Sequence, residues 1–198
     1  MNNDRQKYAR CMEEVKLRTS SVADILNKKS STTYQMTNIE FCCLQIRKIL
    51  ELITMASISA HKDIYSKVHK NFYNHWRVRD ILDDLEELHP DFYPIPTKQI
   101  IKDGKVIETQ KIKDGYLTKE DIVEIYNDCS SMVHVRNPYN KNMPDVESIE
   151  YKISIWLDKI IELLNHHQVK LYKSDNQIWV LMNGEDDGRV HVYDMKRL

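Results

Sequence analysis

Apolar residues at Val146, Ile149, Ile153, Trp156, Ile160 and Leu163 step by three and four, which is the cleanest helical stripe in the chain. Pro144-Asp145 opens that helix. Ahead of it, Ile122, Ile125, Tyr126, Cys129, Met132 and Val133 recur at the same spacing. They follow Thr118-Lys119-Glu120-Asp121, where a threonine hydroxyl answered by an acid three residues on predicts a helix start. A sharp break at Val135-Arg136-Asn137-Pro138-Tyr139 separates the two helices. The rest of the chain is organised around this pair.

Towards the N-terminus, Tyr8, Cys11, Met12, Val15, Val22, Ile25 and Leu26 predict a helix from about Asp4 to Asn27. Thr37-Asn38-Ile39-Glu40 fits a capping box, with Met36 and Phe41 at staple spacing. The helix after it, through about Ala56, is apolar round most of its circumference, so it is expected at the centre of a bundle. Arg77 to Leu88 reads as a helix with Val78, Ile81, Leu82, Leu85 and Leu88 inward and Asp80, Asp83, Asp84, Glu86 and Glu87 outward. Pro90, Pro94 and Pro96 force the next segment to be extended.

Two runs, Gln99 to Lys102 and Lys105 to Glu108, flank Asp103-Gly104, a pair suited to a two-residue hairpin turn. After the last helix, 169–172, 178–182 and 189–193 read as three short strands. The expectation is an α+β, mainly α chain: a helical bundle with an inserted β-hairpin and a C-terminal three-stranded antiparallel meander. As a single domain over 1–198, it has a helical core at about 4–166, the hairpin at about 98–113 and the meander at about 168–195.

The 198 residues are 41% hydrophobic and 30% charged, with a net charge of −1, as in ordinary globular domains. No global basic field advertises nucleic acid. Cys11, Cys42, Cys43 and Cys129 include no C-x-x-C pair and read as small apolar core residues in a reducing compartment. No apolar run reaches membrane-spanning length and none resembles a signal peptide, so a cytoplasmic location is the expectation. Walker, G-x-G-x-x-G, G-x-S-x-G and H-E-x-x-H motifs are missing, and four glycines leave little for a phosphate cradle.

Candidate chemistry is therefore confined to two strings. In His134-Val135-Arg136-Asn137-Pro138-Tyr139-Asn140-Lys141, an Arg-Asn pair precedes the last helix of a helical core. This resembles the HEPN superfamily, many of whose members are metal-independent ribonucleases with an Arg-(Asn/Asp)-x-x-x-His motif. Arg136 and Asn137 match, and Lys141 stands where the motif has its histidine. The resemblance implies an RNA- or nucleotide-binding protein, a degenerate ribonuclease of a bacterial defence or stress system, and a homodimer with its site between two copies. Arg136 would hold phosphate, Asn137 would orient the backbone or ribose, and His134 or Lys141 would stand in for the histidine.

The plain alternative is that Asn-Pro makes a turn and Arg136 bonds the last carbonyls of the helix before it. In the second string, Lys67 to Arg79, cations interleave with rings. Lys70, Trp76, Arg77 and Arg79 are the candidate nucleic-acid contacts, because rings stack on bases while cations meet phosphates. A bend pinned by its rings explains the same pattern. His61, His69, His75 and His89 have no recognised ligand spacing, so neither a metal nor a cofactor is expected. The competing functional reading is a non-catalytic protein that binds a protein partner through the hairpin, the acidic helix or the meander edge.

Overall fold

The structure, a computed structural model, describes residues 3–70, 74, 77–103, 105–135, 137, 139 and 145–196. Helix α1 (Asn3–Leu26) buries Tyr8, Met12, Val15 and Val22, a stripe set by the helical period. Helix α2 (Gln35–Ala60) buries Ile39, Cys42, Cys43, Ile46, Ile49, Leu50 and Ile53. It packs on α1, on the short α3 (Lys62–Val68), and on α4 (Val78–Leu88), α5 (Lys119–Met132) and α6 (Val146–Leu164). It is the central helix that its sequence predicts.

The start of α2 differs from expectation. The helix begins at Gln35 with Tyr34 as its N-cap and no capping side chain. Asn38 turns back instead, its Oδ1 accepting from the Thr32 backbone N–H at 2.8 Å, and Thr37 donates to the Tyr34 carbonyl at 2.6 Å. The Thr37-to-Glu40 box is thus not used, because these side chains bond the preceding loop. By contrast, Thr118 does cap α5: its hydroxyl accepts from the Asp121 N–H at 3.1 Å, and the Asp121 carboxylate accepts from the Thr118 N–H at 2.9 Å. Asp145 caps α6 through the Ser148 N–H at 3.2 Å.

Five strands form one antiparallel sheet: β1 (Ile95–Lys102), β2 (Lys105–Lys111), β3 (His166–Lys170), β4 (Asn176–Leu181) and β5 (His191–Lys196), in the order β2-β1-β3-β4-β5. The predicted hairpin and meander are both present, but they are joined. Ile95 pairs with Gln168 and Pro96 with His167, so the first two residues of β1 tie the hairpin to the meander. Beyond Pro96, β1 and β2 pair only with each other and run on as a ribbon, with a bulge between Ile100 and Ile101. The strands of the meander are also offset from the predicted spans: β3 begins at His166, one residue after the α6 C-cap Asn165. The helices cover one face through contacts of α6 with β1 and β3 and of α1 with β5. A three-stranded meander needs such cover to persist.

Contacts between helices fix their directions. The Cys129 thiol lies beside Cys43, the Arg47 guanidinium lies 4.7 Å above the Tyr126 ring centroid, and the Tyr126 hydroxyl donates to Glu51 at 3.1 Å. As residue number rises along α2 it falls along α5, so the two are antiparallel. Gln35 at the head of α2 reaches Glu150 near the head of α6, and His61 just past the end of α2 reaches Lys170 in the strand that follows α6, which makes those two helices parallel. The C-termini of α1 and α5 and the N-termini of α2 and α6 therefore share one end of the bundle. The sheet lies at the other.

Candidate functional site

At the sheet end the buried imidazoles are bonded into the fold, whereas the buried Trp179 Nε1 has no hydrogen-bond partner among the described residues. His167 is fully buried, and its Nδ1–H donates to the Leu164 carbonyl at 2.8 Å. A carbonyl only accepts, so Nε2 is the acceptor for the Tyr8 hydroxyl at 2.7 Å, which fixes one tautomer. Burial then lowers the His167 pKa to about 4. His166 Nδ1 is 2.6 Å from Thr97 Oγ1, and burial holds its pKa below the usual value. His61 lies between the carbonyls of Ser57, 2.9 Å from Nδ1, and Lys170, 3.0 Å from Nε2. Its pKa too is lowered, chiefly by burial. The sequence offers His61, His69, His75 and His89 without a recognised ligand spacing and gives no sign of His166 and His167. Their bonds are structural, and among the described residues no group of three His, Cys, Asp or Glu could hold a metal ion.

At the opposite end the described residues are exposed. His134 and Asn137 are exposed there, Val135 is 100% exposed and Tyr139 is 89% exposed. Asn137 Oδ1 accepts from the Tyr139 N–H at 3.0 Å, the local turn that Asn-Pro implies, while its amide nitrogen faces no partner among the described residues. His134 is exposed and Cys129 is buried, so these two do not form a thiol–imidazole pair. Arg136 and Lys141, the motif positions, lie outside the described residues, as does Trp76.

The remaining nucleic-acid candidates divide. Lys70 stands exposed after α3. Arg77 and Arg79 line a groove of about 150 Å³ between the start of α4 and the outer face of α5, together with Val123, Tyr126 and Asn127. Arg77 is 3.8 Å from Asp80, and Arg47 is 3.4 Å from Glu51, so two of the cations near Tyr126 are partly neutralised. Arg79 is exposed with no ion pair among the described residues. The fold therefore sets three arginines from two separate stretches around one tyrosine of α5, the helix that leads into His134.

One cleft lies outside every sequence-based expectation. About 390 Å³ in volume, it opens at the turn between α1 and α2, against the first turns of α6. Its floor is Ile25, Leu26, Ile39, Cys42 and Ile153, and Glu147 and Glu150 stand at its rim. No helix of the described residues is long and apolar enough to cross a membrane. Compared with protein-family models, curated proteins and solved structures, the chain matches none.

Proposed function

We propose that the chain is a HEPN-like protein that binds single-stranded RNA or a nucleotide along the outer face of α5 and the exposed segment that follows it. The observation that supports the reading is the groove that Arg77 and Arg79, two cations against the one acid Asp80, line together with Tyr126 and Asn127. Cations beside an aromatic ring and an amide are the chemistry that holds phosphates and stacked bases. Exposed Tyr139, and Asn137 whose amide nitrogen has no partner among the described residues, offer a further ring and amide at the break. Arg136 is the motif cation, and Lys141 in place of a histidine makes the activity one of binding, with His134 as the imidazole that cleavage would need. The resemblance carries with it a homodimer, which sedimentation velocity measures.

The experiment is a metal-free titration of fluorescein-labelled single-stranded RNA followed by anisotropy, with a parallel gel for cleavage. Saturable, salt-sensitive binding is expected, weakened on the order of tenfold by Arg79→Ala and by Arg136→Ala, as when one phosphate contact is lost. No binding by the wild-type chain, or equal binding by both variants, overturns the reading. New fragments that disappear in His134→Ala extend it to catalysis.

A second reading rests on the ribbon, where Ile101, Val106 and Ile107 are exposed beyond the helices. Exposed apolar side chains on a projecting two-stranded arm suit a protein partner. Under this reading Ile101→Ser with Val106→Ser removes a co-purifying protein and leaves RNA binding unchanged.

A further inference from the structure

We propose that the β1–β2 arm docks on an anionic lipid surface, with its aliphatic side chains entering the headgroup boundary and its lysines meeting the negative charge. Beyond Pro96 the two strands pair only with each other, and they end at Asp103, whose φ of 51° makes the left-handed turn. One step back from the turn, Ile101 and Val106 are Cα partners, so their side chains share a face. They are 63% and 50% exposed, and Ile107 beside them is 60% exposed. The register passes from Ile100 with Glu108 to Ile101 with Val106, which leaves Ile107 as the extra residue of a bulge that bends β2. Three branched aliphatic side chains thus stand in water at the far end of the arm.

Charge decides what would cover them. Residues 98–113 hold Lys98, Lys102, Lys105, Lys111 and Lys113 against Asp103 and Glu108, for a net charge of +3. The whole chain carries −1, so the remaining residues sum to −4. Lys98, Lys102 and Lys113 are exposed and make no ion pair among the described residues. A negatively charged bilayer attracts this part of the molecule and repels the remainder, which presents the arm first. Aliphatic side chains then leave water at the acyl boundary, while lysine stems lie along it and keep their ammonium heads among the headgroups.

Other polyanions and other proteins suit the arm less well. Residues 95–113 contain no aromatic ring to stack on a base, and Ile101, Val106 and Ile107 gain nothing from phosphates. A strand of another chain is disfavoured along the edge strand β2, because a bulge and lysines are features that keep an edge from pairing. A fluid boundary needs no matching strand or pocket. The arm is the one on which the protein-partner reading rests, and the RNA reading does not use it.

Vesicle flotation tests the docking, with phosphatidylcholine alone beside phosphatidylcholine mixed with phosphatidylglycerol. The chain is expected to partition at least about tenfold more strongly onto the anionic vesicles, and the excess is expected to fall as salt rises. Lys102→Glu is expected to cut partition at least about tenfold, since each basic residue near such a surface contributes roughly fivefold and the substitution changes two charges. Ile101→Ser with Val106→Ser is expected to cut it by a similar factor and to leave the salt dependence in place. Both side chains are exposed, and an unchanged urea midpoint verifies the fold. The proposal is overturned if neither kind of vesicle floats the chain, if both float it equally, or if the double serine variant floats as well as the wild type. Absent flotation together with loss of a co-purifying protein from the double serine variant assigns the arm to a protein partner instead. Absent flotation together with loss of RNA anisotropy binding in Lys102→Glu assigns it to nucleic acid.

Discussion

The two ends of the helical bundle are built from similar residues and reach opposite states. At the sheet end, His61, His166, His167, Tyr8 and Thr97 are buried, and each imidazole has a partner within 3.0 Å. At the turn end, Asn38, Glu147, Asn137 and Tyr139 carry polar groups that face water or a cleft. The sheet makes the difference. β3 leaves α6 after a single cap residue and brings His166 and His167 under β1 and against α1. No such layer closes the turn end among the described residues. Imidazole chemistry at the first end is spent on folding, and groups at the second remain available to a ligand.

Breaking the sheet end has the largest expected effect. His167→Ala leaves the buried Tyr8 hydroxyl without its acceptor and opens a cavity, for a loss of about 4 kcal/mol in urea unfolding. A loss below 1 kcal/mol shows that the network contributes little. Acid probes the same group. Its pKa is about 6.5 unfolded and about 4 folded, so between those values the unfolded state binds more protons and stability falls as pH falls. The full contribution is present above pH 6.5, and about 3 kcal/mol of it is lost by pH 4. Burial lowers His61 and His166 as well, which adds to the same slope. Unfolding measured from pH 7 to pH 4 gives this slope, and a flat profile contradicts the buried neutral imidazoles.

A smaller effect is expected from the cap of α5. Thr118→Ala leaves the Asp121 N–H unanswered and destabilises by about 1 kcal/mol, while Thr118→Ser restores most of it. The smallest belongs to the open end. Tyr139→Ala and Val135→Ser change stability by less than about 0.5 kcal/mol, since neither side chain is buried. Tyr139→Ala nevertheless weakens RNA anisotropy binding several-fold, on the order of a lost stacking contact. A large stability loss from Tyr139→Ala would show that the two ends are alike after all.

Of the candidate surface, the exposed break and the basic residues before α4 were legible, because turn chemistry and charge are written locally. Their convergence with Tyr126 was not, since Arg77 and Tyr126 meet only through the packing of α4 against α5. The cleft left no signal either: Ile25, Ile39 and Ile153 read as ordinary core positions, and its shape arises where three helix ends fail to meet.

The sequence by itself determined five of the six described helices, α3 excepted, since a three-to-four-residue stripe and a cap such as Thr118 with Asp121 act within one or two turns. It also determined that a hairpin and a meander exist, because turn residues and short apolar runs are local signals. Only the tertiary structure decided that the two form one sheet through Ile95 with Gln168, and that His167 meets Tyr8, 159 residues away. Nothing along the chain marks such partners. Free energy gained by burial depends on what arrives from elsewhere, whereas turns and helix ends depend on neighbours already bonded in sequence.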